Sequence, residues 1–457
     1  MAPRSQKKRV IFLHPDLGLG GAETLIVKAA QALKEKGHNV TIYTSYYNPE
    51  RCIQASKELD VRVAGDWIPR KFLGQFHIVF ALLRAFWLSL FVAFWHSPDV
   101  WITDQIAAYN LVLWALSSKP IVFYCHFPDQ LLTQRKTLLK RLYRLPFDLL
   151  EQSGTAAADT ILVNSAFTAN VFKATFRFLG GRQLQILYPS VSIPTQHSLM
   201  TAGASVGKDL KGTIIFLSIN RFERKKNLAL AIHAFSEFLK LLAAERESNA
   251  GLKGNKTSHE MADERKTAPP AKLILAGGYD VRVQENVEYF AELEKLAYEE
   301  YKFSKKQVEF IRSFEDAKKR ELLVNASCVL YTPENEHFGI VPIEAMAHGT
   351  PVIASDSGGP KESIESNVTG FLCKHDSVSQ WARRLLSFAE NQNVAKKMGR
   401  AGRSRVEKMF SFKSFQKQLH DTILAAKARR GLLARLILGS VCVVLVGMLI
   451  LMCFSGN

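Results

Sequence analysis

One rhythm constrains this chain more than any other feature, and it runs through the sequence twice. Short uninterrupted apolar runs, "RVIFLHP", "NVTIYTS", "DVWITD", "PIVFYCH", "TILVNS" and "LQILYPS", alternate with amphipathic stretches such as "GAETLIVKAAQALKEKG". A strand with one wet face alternates apolar and polar residues. A strand covered on both faces reads as a continuous apolar run, which is the pattern of parallel sheets wrapped by helices. The rhythm loosens after Ser192 and resumes with "TIIFLSIN", "AKLILAGG", "QVEFIRSF", "CVLYTP" and "TPVIASD".

Two such series predict an α/β protein of two Rossmann-like doubly wound domains facing a cleft. The expected boundaries are 1–195, a linker at 196–211, 212–404, and a C-terminal helix at 405–430. Within the second series, 245–271 is polar and poor in apolar residues, and reads as a disordered insertion.

Leu436–Phe454 is an uncharged apolar run long enough to cross ~30 Å of hydrocarbon at ~1.5 Å per residue. Lys427, Arg429, Arg430 and Arg435 precede it. The positive-inside rule then keeps the rest of the chain cytosolic behind a C-terminal transmembrane anchor. The stretch 76–95 is equally long, but Arg84 lies at its centre and aromatics crowd its end. It reads as a helix in the membrane interface, with a core helix as the alternative. The formal net charge of +18 points to anionic partners, and no nucleic-acid signature accompanies it. The six cysteines form no C-x-x-C pair, which argues against a zinc site or a disulfide framework.

The chemistry concentrates in "EHFGIVPIEAMAHGTPVIAS", where Glu336 and Glu344 bracket a run that looks like core. Gly339 and Pro342 argue against one continuous helix, and Pro342 suits a first turn. A helix from about Val341 to Gly349 puts Glu344 in that turn and Glu336 on the loop before it. The amides of Gly339, Ile340 and Val341 then form an anion site between two acids that can accept sugar hydroxyls. The plainer alternative has Glu344 capping its helix and Glu336 solvated.

In "SINRFERKKN", Arg221, Lys225 and Lys226 follow a strand, on the side of a doubly wound sheet that faces ligands. Cations there stabilise charge on a departing diphosphate; a solvated basic turn is the alternative. "GLGGAET" supplies Gly20 and Gly21 between strand and helix, but Glu23 stands where a dinucleotide motif has its third glycine. Gly277 and Gly278 end another strand, and His126 ends "VFYCH". There is no P-loop, no nucleophile elbow, no Asp-x-Asp pair and no metal-ligand spacing.

Taken together, "EHFGIVPIEAMAHGTPVIASDSGGPKE", "INRFERKKN" and "GGAE" resemble the retaining GT-B glycosyltransferases with the E-x7-E signature, over residues 10–425. With "YCHFPDQLL" and the apolar tail, the likeness narrows to the α-1,3/1,6-mannosyltransferases of dolichol-linked oligosaccharide assembly. The resemblance implies an acceptor-binding first domain and, in the second, GDP-mannose as donor, held by Glu344 at the ribose and Glu336 at the mannose. Arg221 and Lys226 would grip the diphosphate, although the adjacent Lys225 also fits. His126 would reach the donor sugar from the acceptor domain, and Gly20 and Gly21 would shape the floor. It further implies a metal-independent, cofactor-free reaction and a dolichol-diphosphate-linked oligosaccharide acceptor. The setting would be the cytosolic face of the endoplasmic reticulum membrane, beside other mannosyltransferases of the pathway. An anchored N-acetylglucosaminyltransferase of glycosylphosphatidylinositol synthesis, using a UDP sugar, is the rival. A non-catalytic membrane scaffold is the rival from another class.

Overall fold

The computed structural model describes residues 7–71, 77–133, 135, 137–204, 212–252 and 270–428. The chain forms two units: residues through Ser190 together with those from Phe412 onward, and Val191–Ser411.

The first unit is built on seven parallel strands: β1 (Arg9–Leu17), β2 (Asn39–Tyr47), β3 (Asp60–Val63), β4 (Val100–Asp104), β5 (Ile121–Cys125), β6 (Thr160–Val163) and β7 (Leu184–Ile186). Their order is β3-β2-β1-β4-β5-β6-β7, so the winding reverses between β1 and β4. Helices α1 (Gly21–Glu35), α2 (His77–Trp95), α3 (Ala108–Leu116), α4 (Leu138–Ala157) and α5 (Ala166–Thr175) connect them. The side-chain period of two sorts each strand between two cores. Val10, Phe12, Ile102 and Val122 pack with Leu25, Ile26 and Leu33 of α1 on one face. Ile11, Leu13, Trp101 and Phe123 pack with Ala85, Leu88 and Val92 of α2 on the other.

α2 is therefore half a core helix. Arg84 is buried, donating to Asp16 Oδ1 at 3.0 Å and to the Ser45 carbonyl at 2.9 Å. Its charge is settled inside the protein rather than in lipid. The far end of the helix leaves Phe94 74% and Trp95 73% exposed.

The second unit holds six parallel strands: β8 (Ile214–Ile219), β9 (Ala271–Gly277), β10 (Val308–Arg312), β11 (Cys328–Tyr331), β12 (Val352–Ser355) and β13 (Gly370–Cys373), in the order β10-β9-β8-β11-β12-β13. Its helices are α6 (Gln196–Ala204), α7 (Leu228–Leu252), α8 (Gln284–Glu294), α9 (Asp316–Asn325), α10 (Ile340–Ala347), α11 (Val378–Glu390) and α12 (Gln392–Met409). The largest core cluster of the unit joins Phe216, Phe235 and Phe238 with Trp381 and Leu385.

Several expected boundaries shift. The stretch read as a linker is helical over α6, and 205–211 lies outside the described residues. The stretch read as an insertion is helical through Leu252, with 253–269 outside the described residues. The C-terminal helix expected at 405–430 is two helices: α12 stays with the second unit, while α13 (Phe412–Ala425) packs Phe415, Leu419 and Ile423 into the first unit's core beside α1. The apolar run 436–454 lies outside the described residues.

Candidate active site

In a doubly wound sheet the ligand crevice lies beyond the strand C-termini where the winding reverses. In the second unit that point falls between β8 and β11. β8 leads into Asn220–Arg221, and a 3-10 turn at Arg224–Lys226 follows. β11 leads into the loop that carries Glu336. The two segments meet there: Lys226 Nζ donates to Glu336 Oε1 at 2.5 Å. The two side chains are 11% and 24% exposed, so the pair is largely shielded but open on one side. Thr332 Oγ1 donates to the Lys226 carbonyl at 2.7 Å, pinning the lysine to the end of β11.

The neighbouring cations behave differently. Lys225 is 65% exposed and Arg221 62%, and both pair with Glu223, at 3.1 and 2.8 Å. Of the adjacent lysines, Lys226 is the shielded one, turned to Glu336.

α10 begins at Ile340, with Gly339 at its N-cap in the left-handed region at φ 78°. A Cβ there would be strained by its backbone and would also lie 3.1 Å from the Tyr331 ring. The first amides of a helix have no intrahelical acceptor, so those of Ile340 and Val341 remain available to an anion. Starting at Ile340 puts Glu344 past the first turn, one correction to the sequence reading. Its carboxylate is not a cap. Lys319 on α9 reaches it, with Nζ 2.6 Å from Oε1 and from Oε2. At the other end of α10, Arg403 donates to the Ala347 carbonyl at 3.0 Å, matching positive charge to the helix C-terminus.

The Tyr331 hydroxyl feels the charge of both acids. Burial pushes its hydroxyl well above the usual range, and the charges of Glu336 and then Glu344 add to the shift. The Glu336 loop is also held from behind, because the Gly359 amide donates to the Glu336 carbonyl at 2.8 Å. Gly358 sits at φ 60°, where a Cβ would come 2.4 Å from that same oxygen. Gly277 has a similar packing role: its Cβ would lie 1.6 Å from the Asn220 carbonyl, and one on Gly278 would lie 3.3 Å from Arg221 Cγ. These glycines let β9 approach the segment that carries Arg221.

In the first unit the winding reverses between β1 and β4. Gly20 and Gly21 follow β1 there. Gly20 is the N-cap of α1, accepting from Thr24 Oγ1 at 2.7 Å, and nothing lies within 4 Å of where a Cβ on Gly21 would stand. His126 follows β5, and its Nε2 lies 2.9 Å from Asp104 Oδ2. Asp104 is fully buried, and its other oxygen meets His14 Nδ1 at 2.8 Å.

Sequence reading missed Lys319, Tyr331, Asp104 and His14. None carries a recognisable signature: Lys319 reaches Glu344 from another helix, and Asp104 and His14 meet only where β4 lies beside β1. Among the described residues no group of three or more His, Cys, Asp or Glu side chains is arranged to hold a metal ion.

Residues 19–193 match Glycosyltransferase Family 4, and residues 206–405 match Glycosyl transferases group 1. The fold resembles that of the sucrose-phosphate synthase from Thermosynechococcus elongatus, with a TM-score of 0.67 at 18% identity, covering 91% of this chain and 98% of that one. Anabaena Alr3699/HepE, solved in complex with UDP and glucose, gives 0.63 at 16%, covering 92% and 100%. The two family matches and the fold together define a glycosyltransferase of GT-B architecture.

The sequence relatives narrow this further. The chain is 46% identical over 421 residues to the α-1,3/1,6-mannosyltransferase ALG2 of Homo sapiens, covering 91% of this chain and 95% of that protein. It is 38% identical to ALG2 of Saccharomyces cerevisiae, covering 91% and 84%. The chain belongs to the ALG2 family of α-1,3/1,6-mannosyltransferases.

Proposed function

We propose that this enzyme transfers mannose from GDP-mannose to mannosyl-chitobiosyl-diphosphodolichol, first in α-1,3 and then in α-1,6 linkage, with retention at C1. The observation that carries the reading is the Lys226–Glu336 pair at the β8/β11 reversal, beside the amino end of α10. A nucleotide sugar matches that arrangement. Its diphosphate takes the amides of Gly339, Ile340 and Val341 and the charge of Lys226, with Arg221 swinging in from Glu223. Glu336 accepts from mannose hydroxyls. Glu344, steadied by Lys319, accepts from the ribose. Gly277 and Gly278 border the pocket, and His126 meets the transferring sugar.

In the transfer, the bond from C1 to the phosphate oxygen breaks and the acceptor oxygen bonds to C1 on the same face. The acceptor proton passes to the leaving phosphate oxygen. Fixed cations balance the diphosphate charge without a metal ion, and no organic cofactor takes part.

The acceptor is confined to a bilayer, so the enzyme works at the cytosolic face of the endoplasmic reticulum membrane. Exposed Phe94 and Trp95 on α2, and Leu138, Leu142 and Leu145 on α4, supply apolar contact. The net charge of +18 attracts anionic headgroups and the lipid diphosphate. Other mannosyltransferases of the pathway are its expected neighbours.

The test is incubation of the full chain in membranes with labelled GDP-mannose and the one-mannose lipid acceptor, followed by linkage analysis. The expected products carry α-1,3 and α-1,6 mannose. Turnover of UDP-N-acetylglucosamine alone would refute the reading.

A further inference from the structure

The C-terminal ends of β1, β4 and β5 lie side by side in the first sheet, and each contributes one member of a buried polar chain. His14 and Asp104 are both fully buried, while His126 keeps some contact with solvent. Asp104 is the shared member, with one oxygen 2.8 Å from His14 Nδ1 and the other 2.9 Å from His126 Nε2. A carboxylate only accepts hydrogen bonds, so both ring nitrogens that face it carry hydrogen. In a neutral imidazole the opposite nitrogen then holds the lone pair. For His126 that nitrogen is Nδ1. The backbone of His126 is held as well, since Asn164 Nδ2 donates to its carbonyl at 3.0 Å.

We propose that Asp104, braced by His14, is the positioning residue for His126: it fixes the ring as the Nε2–H tautomer and presents Nδ1 as an acceptor for a hydroxyl of the transferring sugar. The contact with the sugar rests on the function proposed above; the tautomer does not. His14 has two parts in this. By occupying Oδ1 it stops the carboxylate from rotating away from His126. It also supplies countercharge: burial opposes protonation of His14, but the charge of Asp104 and its hydrogen bond outweigh burial and raise the pKa above the ordinary value. Glu23 and Asp16 act on His14 in the same direction.

The experiment uses full-length enzyme labelled with ¹⁵N-histidine. The His126 signals, assigned by their loss in His126→Gln, should report hydrogen on Nε2 and a bare Nδ1. Averaged signals, or hydrogen on Nδ1, in the wild-type spectrum so assigned would overturn the proposal, whether or not the Asp104 and His14 variants fold. Asp104→Asn should let the ring average between tautomers. It should lower kcat on the order of 10- to 100-fold, the scale of a misplaced reacting group, with donor KM changed less than about threefold. His14→Leu should act in the same direction. His14→Asn, which restores a donor near the Nδ1 position, should recover most of the loss. Wild-type kcat in both Asp104→Asn and His14→Leu would refute the positioning role. Full transfer by His126→Ala, with the tautomer as expected, would instead refute the sugar contact and leave the ring geometry standing.

Discussion

Replacing Lys226 with Met removes one charge and keeps the chain length. The structure then gives two separable magnitudes. Lys226 and Glu336 are 2.5 Å apart and mostly shielded. Breaking a fully buried pair costs about 3–5 kcal/mol, because the remaining ion is stranded. Glu336 keeps part of its surface in water, so about 2 kcal/mol is the expected loss here. For a unit the size of Val191–Ser411 that corresponds to a fall in Tm of about 4–8 °C. Loss of a fixed charge at the departing diphosphate should lower kcat by about 10²–10³-fold, or about 2.7–4 kcal/mol of transition-state stabilisation.

Thermal unfolding reads the first effect and GDP release at saturating substrates the second. Adding Glu336→Gln to Lys226→Met should restore much of the Tm, since no stranded carboxylate remains, without restoring transfer. Lys225→Met is the control: its ammonium is exposed and turned to Glu223, so both readouts should stay near wild type. Equal losses of transfer at positions 225 and 226, or full transfer by Lys226→Met, would refute the reasoning.

Three further outcomes follow from the geometry. Glu344→Gln breaks the pair with Lys319 and should raise donor KM about tenfold, about 1.4 kcal/mol, with a smaller change in kcat; initial rates against donor concentration decide it. Burial and the neighbouring charge of Asp129 push Glu151 up to about 8, against ~4.3 in the unfolded chain. The folded state therefore binds the extra proton between those values, and stability falls as pH rises through that window. The fall is about 2.5 kcal/mol from pH 5 to 7, and Glu151→Gln should flatten it in denaturant titrations; an unchanged slope would mean Glu151 stays ionised. Gly277→Ala drives a Cβ to 1.6 Å from the Asn220 carbonyl and should cost at least about 3 kcal/mol, read as Tm. A wild-type Tm would contradict the close approach.

The central strands were legible because burial on both faces leaves no alternation to misread: β1, β4, β5, β8 and β11 all appear as continuous apolar runs. The edge strands β3 and β13 were not. β3 is four residues long, carries Asp60 and Arg62, and shows water one open side. The break between α12 and α13 was missed because "KMFSFKSF" contains no glycine or proline to mark it, although the chain changes units there. In the site, Glu336 and Lys226 were readable because each sits in a compact local motif. Lys319 was not, since it reaches Glu344 from a different helix. The link from Asp104 to His14 is still less local, since it joins strand ends 90 positions apart. Such partners exist only once the sheet has assembled.

The most direct measurement of the central claim is a crystal structure of the enzyme with GDP. The account predicts the β-phosphate within about 3 Å of Lys226 Nζ and of the first amides of α10, with the ribose hydroxyls on Glu344. A nucleotide bound away from the β8/β11 reversal, with the Lys226–Glu336 pair untouched, would contradict it.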